Sequence, residues 1–417
     1  MTQLQAAPRV SDTLTRRHWA VLAITILLWL FDGYETYVLL LTIGPSLHAL
    51  LPGDAAKDLP RYAAYLISIT LFGWAVGGVA GGVLGDRLGR RRTMIGSVLL
   101  YSLFTGTSAL SPNWQILALT RFLTGAGIGA EWGVGTSLLQ EMWPERLRTK
   151  AVGILQAAFS GGFLVASLLW LLVGGWLGGS WRWMYVAGIV PALIVAVSGR
   201  IIPESDRWTQ AKPTVRAIAA TLRAHSRNLV IAIIVSVAIT VGFWAISSWI
   251  PTYVATLAHD PQSRIAYAAW AGVLFAIGEM IGCTAFGWLA EIWGRRGTLV
   301  VYLAGSIAIT PVVFLWVHDP VAVVLLQLPN GILTGGLYGW YAIHPSELFP
   351  TSIRASAISI IFNSARFLAM LGPIIASSLI ALFGGYGMAA TIMASVFALG
   401  IVAVLFLPET RGQPLPP

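Results

Sequence analysis

Long apolar stretches recur along almost the whole chain, with short polar loops between them. Read by hydropathy they cover 19–47, 61–85, 93–111, 114–142, 151–176, 182–202, 229–250, 266–290, 298–317, 320–345, 355–383 and 386–407. Each is on the order of 20 residues, the length of helix that crosses a hydrocarbon layer about 30 Å thick. The 417 residues are 57% hydrophobic and 10% charged, where a soluble domain carries about 25% charged residues. A chain of this kind has too little polar surface to face water, which excludes a soluble enzyme, a disordered chain and a fibrous repeat. In lipid every backbone polar group must be satisfied within the segment, so the prediction is an all-α membrane protein with twelve transmembrane helices. Arg9, Arg16 and Arg17 before the first run give it the outline of a signal peptide. The run is too long for that and lacks a small-residue cleavage site, so it reads as the first span. Cys283 is the sole cysteine, which rules out an internal disulfide and a cysteine-based metal site; no metal or cofactor is expected.

The formal net charge is +9, which by itself invites a nucleic-acid partner. The placement of the charges argues otherwise. Of the 26 Lys and Arg, twenty fall on the side that holds both termini. Four (Lys57, Arg61, Arg182 and Arg264) fall on the other side, and two, Arg121 and Arg366, lie within spans. Basic loops stay in the cytoplasm. The expectation is a multi-pass protein of the bacterial inner membrane with both termini cytoplasmic, and no nucleic acid.

The chain also repeats itself at an offset of about 205 residues. Gly82-Val83-Leu84-Gly85-Asp86-Arg87-Leu88-Gly89-Arg90-Arg91 is echoed by Gly287-Trp288-Leu289-Ala290-Glu291-Ile292-Trp293-Gly294-Arg295-Arg296. Glu141 with Pro144 and Arg148 returns as Glu347 with Pro350 and Arg354, and Pro203-Glu204-Ser205 returns as Pro408-Glu409-Thr410. The ladder Gly125, Gly129, Gly133 matches Gly331, Gly335, Gly339; small residues four apart let helices approach closely, a packing role. Each half holds six spans. The expected division is an N-terminal six-helix bundle at 1–202, a polar cytoplasmic linker at 203–228 and a C-terminal six-helix bundle at 229–417.

The loop G-x-L-x-D-R-x-G-R-R, present in both halves, resembles the signature of the major facilitator superfamily, as does Arg121-x-x-x-Gly125-x-Gly127-x-Gly129. The resemblance covers essentially the whole chain. It implies two pseudo-symmetric bundles rocking around a central site, open to each side in turn. Asp86 with Arg90, and Glu291 with Arg295, are the candidate gating pairs: an acid beside arginines at a helix end can hold one side shut and then release it. The bland alternative is that these arginines only set topology.

Ionisable groups inside the spans cost at least about 2.5–3.5 kcal/mol each on insertion scales and mark functional sites. At 1.5 Å per residue, Asp32 lies about 20 Å, Glu35 about 24 Å, Arg366 about 17 Å and Glu279 about 20 Å into their helices, all near mid-depth. Arg366 keeps its proton and offers a planar fork that fits a carboxylate; Asn363, one turn away, can donate beside it. They are read as a substrate-carboxylate anchor, the alternative being a permanent salt bridge such as Arg366 to Glu279. Burial favours the neutral form of a carboxyl. Asp32, Glu35, Glu131 and Glu279 are therefore candidate proton-coupling groups, with Asp32 and Glu131 foremost. Arg121, nearer the far end, reads as structural, and His344 as a helix-end histidine. Tyr34, Tyr37, Trp132, Phe243, Trp244, Tyr338, Trp340 and Tyr341 are the expected aromatic walls of the cavity, on the four spans that line it in the resembled family.

Asp32-Gly33-Tyr34-Glu35 resembles the D-G-x-D element of the aromatic acid:H+ symporters, with Glu in place of the second Asp. Gly129-Ala130-Glu131-Trp132, Trp181-Arg182-Trp183-Met184-Tyr185, Asn363 and Arg366 are similar to that group and to the related sialate, lactate and niacin porters. Span seven lacks the amide-rich run of sugar porters, and Phe159-Ser160-Gly161-Gly162 lacks the proline of drug antiporters. The resemblance implies a proton-coupled symporter of a small aromatic or short-chain carboxylate, with the organic anion, H+ and the bilayer as partners, working as a monomer. A carrier of organic cations or sugars with the same fold is the alternative, and a non-transporting nutrient sensor a third. Enzymatic activity is not expected, because no nucleophile–base pair, metal-ligand spacing or phosphate loop is visible.

Overall fold

The structure is a computed structural model that describes residues 14–53, 59–170, 172–173, 180–199, 202–211, 214–247, 250–257, 261–369, 379, 382–383 and 385–416. Arg9, Lys57, Arg200 and Lys212 of the charge count, and parts of the expected spans five, six, seven and eleven, lie outside the described residues. Helices follow the expected order: α1 (Arg16–Leu50), α2 (Leu59–Leu88), α3 (Arg90–Ser108), α4 (Trp114–Met142) and α5 (Glu145–Trp170). Span six is two short helices, α6 (Arg182–Ala187) and α7 (Val190–Ser198). The linker is less bare than its polarity suggests, because it contains α8 (Asp206–Ala211) and α9 (Val215–Ala224). The second half follows as α10 (Ser226–Ser247), α11 (Ile250–Leu257), α12 (Pro261–Pro311), α13 (Pro320–Asn330), α14 (Gly339–Leu348) and α15 (Arg354–Ala369). Tyr386–Ala394 and Val396–Val404 make the last span. Among the described residues seven helices are long and apolar enough to cross a membrane. Leucines such as Leu103 (59% exposed) and Leu325 (62%) point outward as a lipid-facing surface would require. This is the all-α, two-bundle membrane fold that the repeat predicts.

The duplication is visible in backbone geometry. Gly89 between α2 and α3 has φ 108°, and Gly294, which breaks α12 into spans eight and nine, has φ 81°. A side chain is disfavoured in that left-handed region. After each glycine a remote carboxylate satisfies the first N–H groups of the next helix: Glu204 accepts from Arg90 N at 2.9 Å, and Glu409 accepts from Arg295 N at 2.9 Å. Both acids come from the echoed Pro-Glu motifs, so the motif is a remote helix cap. Burial pushes the Glu409 carboxyl up, but the N–H groups of Arg295, Arg296 and Arg411 outweigh it and hold it below the ordinary carboxylate value.

Two antiparallel contacts join the halves. Along α2 and α15, Trp74 meets Arg366, Gly78 meets Asn363, Gly82 meets Ser359, and the Asp86 carboxylate accepts from Ala355 N (3.3 Å) and Ser356 N (2.8 Å). Along α5 and α12, Gly153 lies under Cys283 and Gly287 under Thr149. Within the first half the glycine ladder of α4 seats α2: a Cβ on Gly129 would overlap the Trp74 carbonyl. Gly129→Val is expected to lower the melting temperature and the yield of folded protein in detergent, whereas substitution at Gly96, with open space beside it, should leave both near wild type.

Candidate functional site

At the Arg-rich end the four expected gating residues sit in two clusters, buried except for the half-buried Glu291. Arg90 pairs with Asp86 (2.7 Å) and Glu141 (3.0 Å), and its Nη2 donates to Thr351 O (2.8 Å) across the interface between halves. Arg354 donates to the same Glu141 oxygen at 2.9 Å, and Ser205 also donates to Glu141. In the other cluster Arg295 holds Glu291 (3.0 Å) and Glu347 (2.9 Å), Arg148 reaches Glu347 from the first half (3.3 Å), and Thr149 donates to Glu291. Both clusters therefore tie one half to the other. Glu141, Glu347, Arg148 and Arg354 were visible in the sequence as an echoed motif, but spacing alone did not connect them to the Asp86 and Glu291 loops.

Midway along α1 the two neighbouring acids take different partners. Glu35 lies 3.7 Å from Arg121 and accepts from Thr105 Oγ1 at 2.7 Å. Arg121 also donates to Thr105 (3.2 Å) and sits 5.1 Å from the Tyr185 ring centre. Asp32 faces Glu131 of α4 and the Tyr101 hydroxyl of α3. Neither Asp32 oxygen nor that hydroxyl has a hydrogen-bond partner among the described residues. Arg121, which sequence reading left as structural, is thus the counter-ion of an expected proton-coupling group.

At the same depth the aromatic side chains of the two halves meet. Trp132 stacks on Phe362 with ring centres 3.7 Å apart and planes at 22°, and donates from Nε1 to Gln156 (3.1 Å). Tyr341 lies 5.0 Å from Phe362 and its hydroxyl bonds Thr240 (2.7 Å) and Ser236. Tyr338 packs on Phe243 at 4.8 Å, and Trp244 flanks Phe243 at 5.6 Å. Tyr338 stands where the tenth span loosens into a π-helical turn, Gly331–Gly335, and a 3-10 turn, Gly336–Tyr338, a local irregularity frequent at functional sites. Tyr37 packs on Phe163 (4.2 Å), with Glu279 near both Tyr37 and Tyr338. Tyr34 is an exception among the expected wall residues. Its hydroxyl donates to Met184 O (2.8 Å), and the ring is buried with Trp181 and Tyr185 inside the first half, because its position on α1 faces span six. Trp340 likewise turns inward, donating to His344, which bonds Pro408 O.

Arg366 is buried in this aromatic layer. Its Cζ lies 3.9 Å from the Phe362 ring centre and 4.2 Å from that of Trp74, and Nη1 donates to Phe362 O (2.7 Å). Among the described residues no carboxylate pairs with it, and the Arg366–Glu279 bridge weighed above is not formed. Asn363 donates to Ser359 O (2.8 Å), and its Oδ1 has no partner among the described residues.

Comparison with known proteins places the chain. The sequence model of the Major Facilitator Superfamily matches residues 21–283 and 254–417. The chain is 29% identical to a putative metabolite transport protein of Haemophilus influenzae, over 92% of this chain and 94% of that one. It is 28% identical to the cis,cis-muconate transport protein of Acinetobacter baylyi (84% and 86% covered) and 27% identical to the 4-hydroxybenzoate transporter of Pseudomonas aeruginosa (95% and 93%). Among solved structures, the proton:xylose symporter XylE is similar with a TM-score of 0.76 at 19% identity, covering 95% of this chain and 97% of that one.

Proposed function

Because the chain belongs to the major facilitator superfamily and is a transporter, we propose that it carries a small organic carboxylate together with protons by alternating access. The observation that carries this reading is the unpaired Arg366 guanidinium, buried among aromatic rings where the halves meet. An anion relieves the cost of that charge most fully; an amine would add to it, and sugar hydroxyls would accept from its N–H groups without neutralising it. Aromatic walls suit a flat, largely apolar body behind the carboxylate. The relatives named for 4-hydroxybenzoate and cis,cis-muconate are named for organic acids, which supports the same class.

The coupling proton has two candidate seats, the Asp32–Glu131 pair and Glu35 beside Arg121. Two facing carboxyls without a cation favour holding a proton between them. A proton on Glu35 would loosen its hold on Arg121 and so repack α1 against α3 and α4. In this reading the division is 1–202 and 229–417 around a 203–228 linker, and the Arg-rich loops are cytoplasmic in a bacterial inner membrane. The ionic clusters then close the cytoplasmic side, and the monomer is the working unit.

Uptake into proteoliposomes tests the reading. An acid-outside pH gradient is expected to raise accumulation of benzoate or 4-hydroxybenzoate, and a protonophore to abolish the gain. Asp32→Asn mimics the protonated acid; it should lose gradient-driven uptake while keeping substrate exchange at zero gradient. Uptake indifferent to the gradient in wild type would remove proton coupling, and an unaltered Asp32→Asn variant would remove that residue from it.

A further inference from the structure

We propose that Trp74 is a positioning residue for the carboxylate anchor, its indole holding the Arg366 guanidinium in the pose that receives the anion. This rests on the reading of Arg366 as the anchor. The guanidinium lies between two rings, Phe362 at 3.9 Å and Trp74 at 4.2 Å. A cation on a desolvated ring is attracted to its π face, which offsets part of the burial cost that no carboxylate among the described residues meets. With Nη1 donating to Phe362 O, the guanidinium still has N–H donors in its planar fork, which can make two parallel bonds to a carboxylate. Phe362 precedes Arg366 by one turn of the same helix and moves with it. Trp74 belongs to α2 of the other half, so its grip depends on how the halves sit.

Trp74 also meets Phe159, ring centres 6.2 Å apart, a contact any aromatic ring could make, and no hydrogen bond among the described residues calls for an indole. The residue is 2% exposed, and its Nε1 has no hydrogen-bond partner among the described residues. A buried unpaired N–H is a cost that leucine would avoid. Its backbone is gripped by Gly125 and Gly129 of α4, and the ring thereby extends over Arg366. The repeat sharpens the point. The offset that carries Asp86 onto Glu291 carries Trp74 onto Glu279, and the one that carries Glu141 onto Glu347 carries Ser160 onto Arg366. Ser160 indeed lies beside Glu279. One scaffold contact, used twice, thus holds a cation on a ring on one side and an acid beside a hydroxyl on the other.

The test is calorimetric titration of benzoate, 4-hydroxybenzoate and cis,cis-muconate into nanodisc-embedded wild type, Arg366→Ala, Trp74→Phe and Trp74→Leu. Trp74→Phe should bind within about threefold of wild type and Trp74→Leu about tenfold or more weakly, the expectation for losing a cation–π contact. Because Trp74→Leu can fail to fold, fluorinated tryptophans placed at position 74 supply a second readout: they keep the ring's shape while draining its face of charge, and affinity should fall stepwise with fluorine number. Affinity flat across that series, or a wild-type Trp74→Leu, overturns the role of Trp74 while leaving the anchor standing. Wild type that binds none of the three acids, or Arg366→Ala that binds like wild type, overturns the anchor and this proposal with it.

Discussion

Arg366→Ala is expected to weaken carboxylate binding at least about 30-fold, since losing one partner of a buried, hydrogen-bonded charge pair costs about 2–5 kcal/mol. Arg366→Lys should recover little, because an ammonium is a point charge without the in-plane fork. Thermal shift against benzoate gives the readout: a ligand that binds the native state raises the melting temperature by mass action, and the variant should lose that rise. The ligand-free protein separates the anchor from a structural salt bridge. Truncating one member of a buried ion pair costs about 3–5 kcal/mol because the other charge is stranded. Arg366→Ala strands no carboxylate among the described residues, so the ligand-free variant should lose only the packing of one buried side chain and fall less in melting temperature than Glu141→Ala. A fall larger than that of Glu141→Ala, or undiminished carboxylate binding, contradicts the anchor.

Glu141→Ala should act in the opposite way, with a large effect on the resting state and little direct effect on the ligand site. Glu141 is the shared acceptor of Arg90 and Arg354, from opposite halves, and also accepts from Ser205. Its removal strands two fully buried arginines, with Asp86 left to hold only the first. A cost of about 3–5 kcal/mol on the closed Arg-rich end follows, enough to move the population toward states open there. Maleimide labelling of Ser356→Cys in a Cys283→Ala background would report it, because Ser356 is now buried under Asp86. Labelling should rise clearly with Glu141→Ala and less with Glu347→Ala, since Arg295 keeps Glu291. Equal labelling in all three backgrounds would mean that the cluster does not hold the gate.

Residues at mid-depth divide sharply in how readable they were. Asp32, Glu131 and Arg366 stand out in any apolar span because charge is costly there. Their partners did not. Asp32 and Glu35 share a helical face by spacing, yet one faces an acid and the other an arginine, because α3 presents Tyr101 and Thr105, and α4 presents Glu131 and Arg121, at different heights. Arg121 carried the same charge signal as Arg366, and only the distance to Glu35 showed what it is for. Trp74 gave no signal, being one of 18 Trp in an apolar run. Tyr34 and Tyr37 are both aromatic and three residues apart, but one packs on span six and the other on the aromatic layer near Glu279.

By itself the sequence determined the membrane, the order of the helices, the twofold repeat and the basic end. These follow from period, length and charge summed over many residues, which tertiary contacts cannot override in lipid. Only the tertiary structure decided which charges neutralise each other and which one is left over. Pairing depends on side chains several ångströms apart in space and up to about two hundred residues apart in sequence, and no local pattern encodes that proximity.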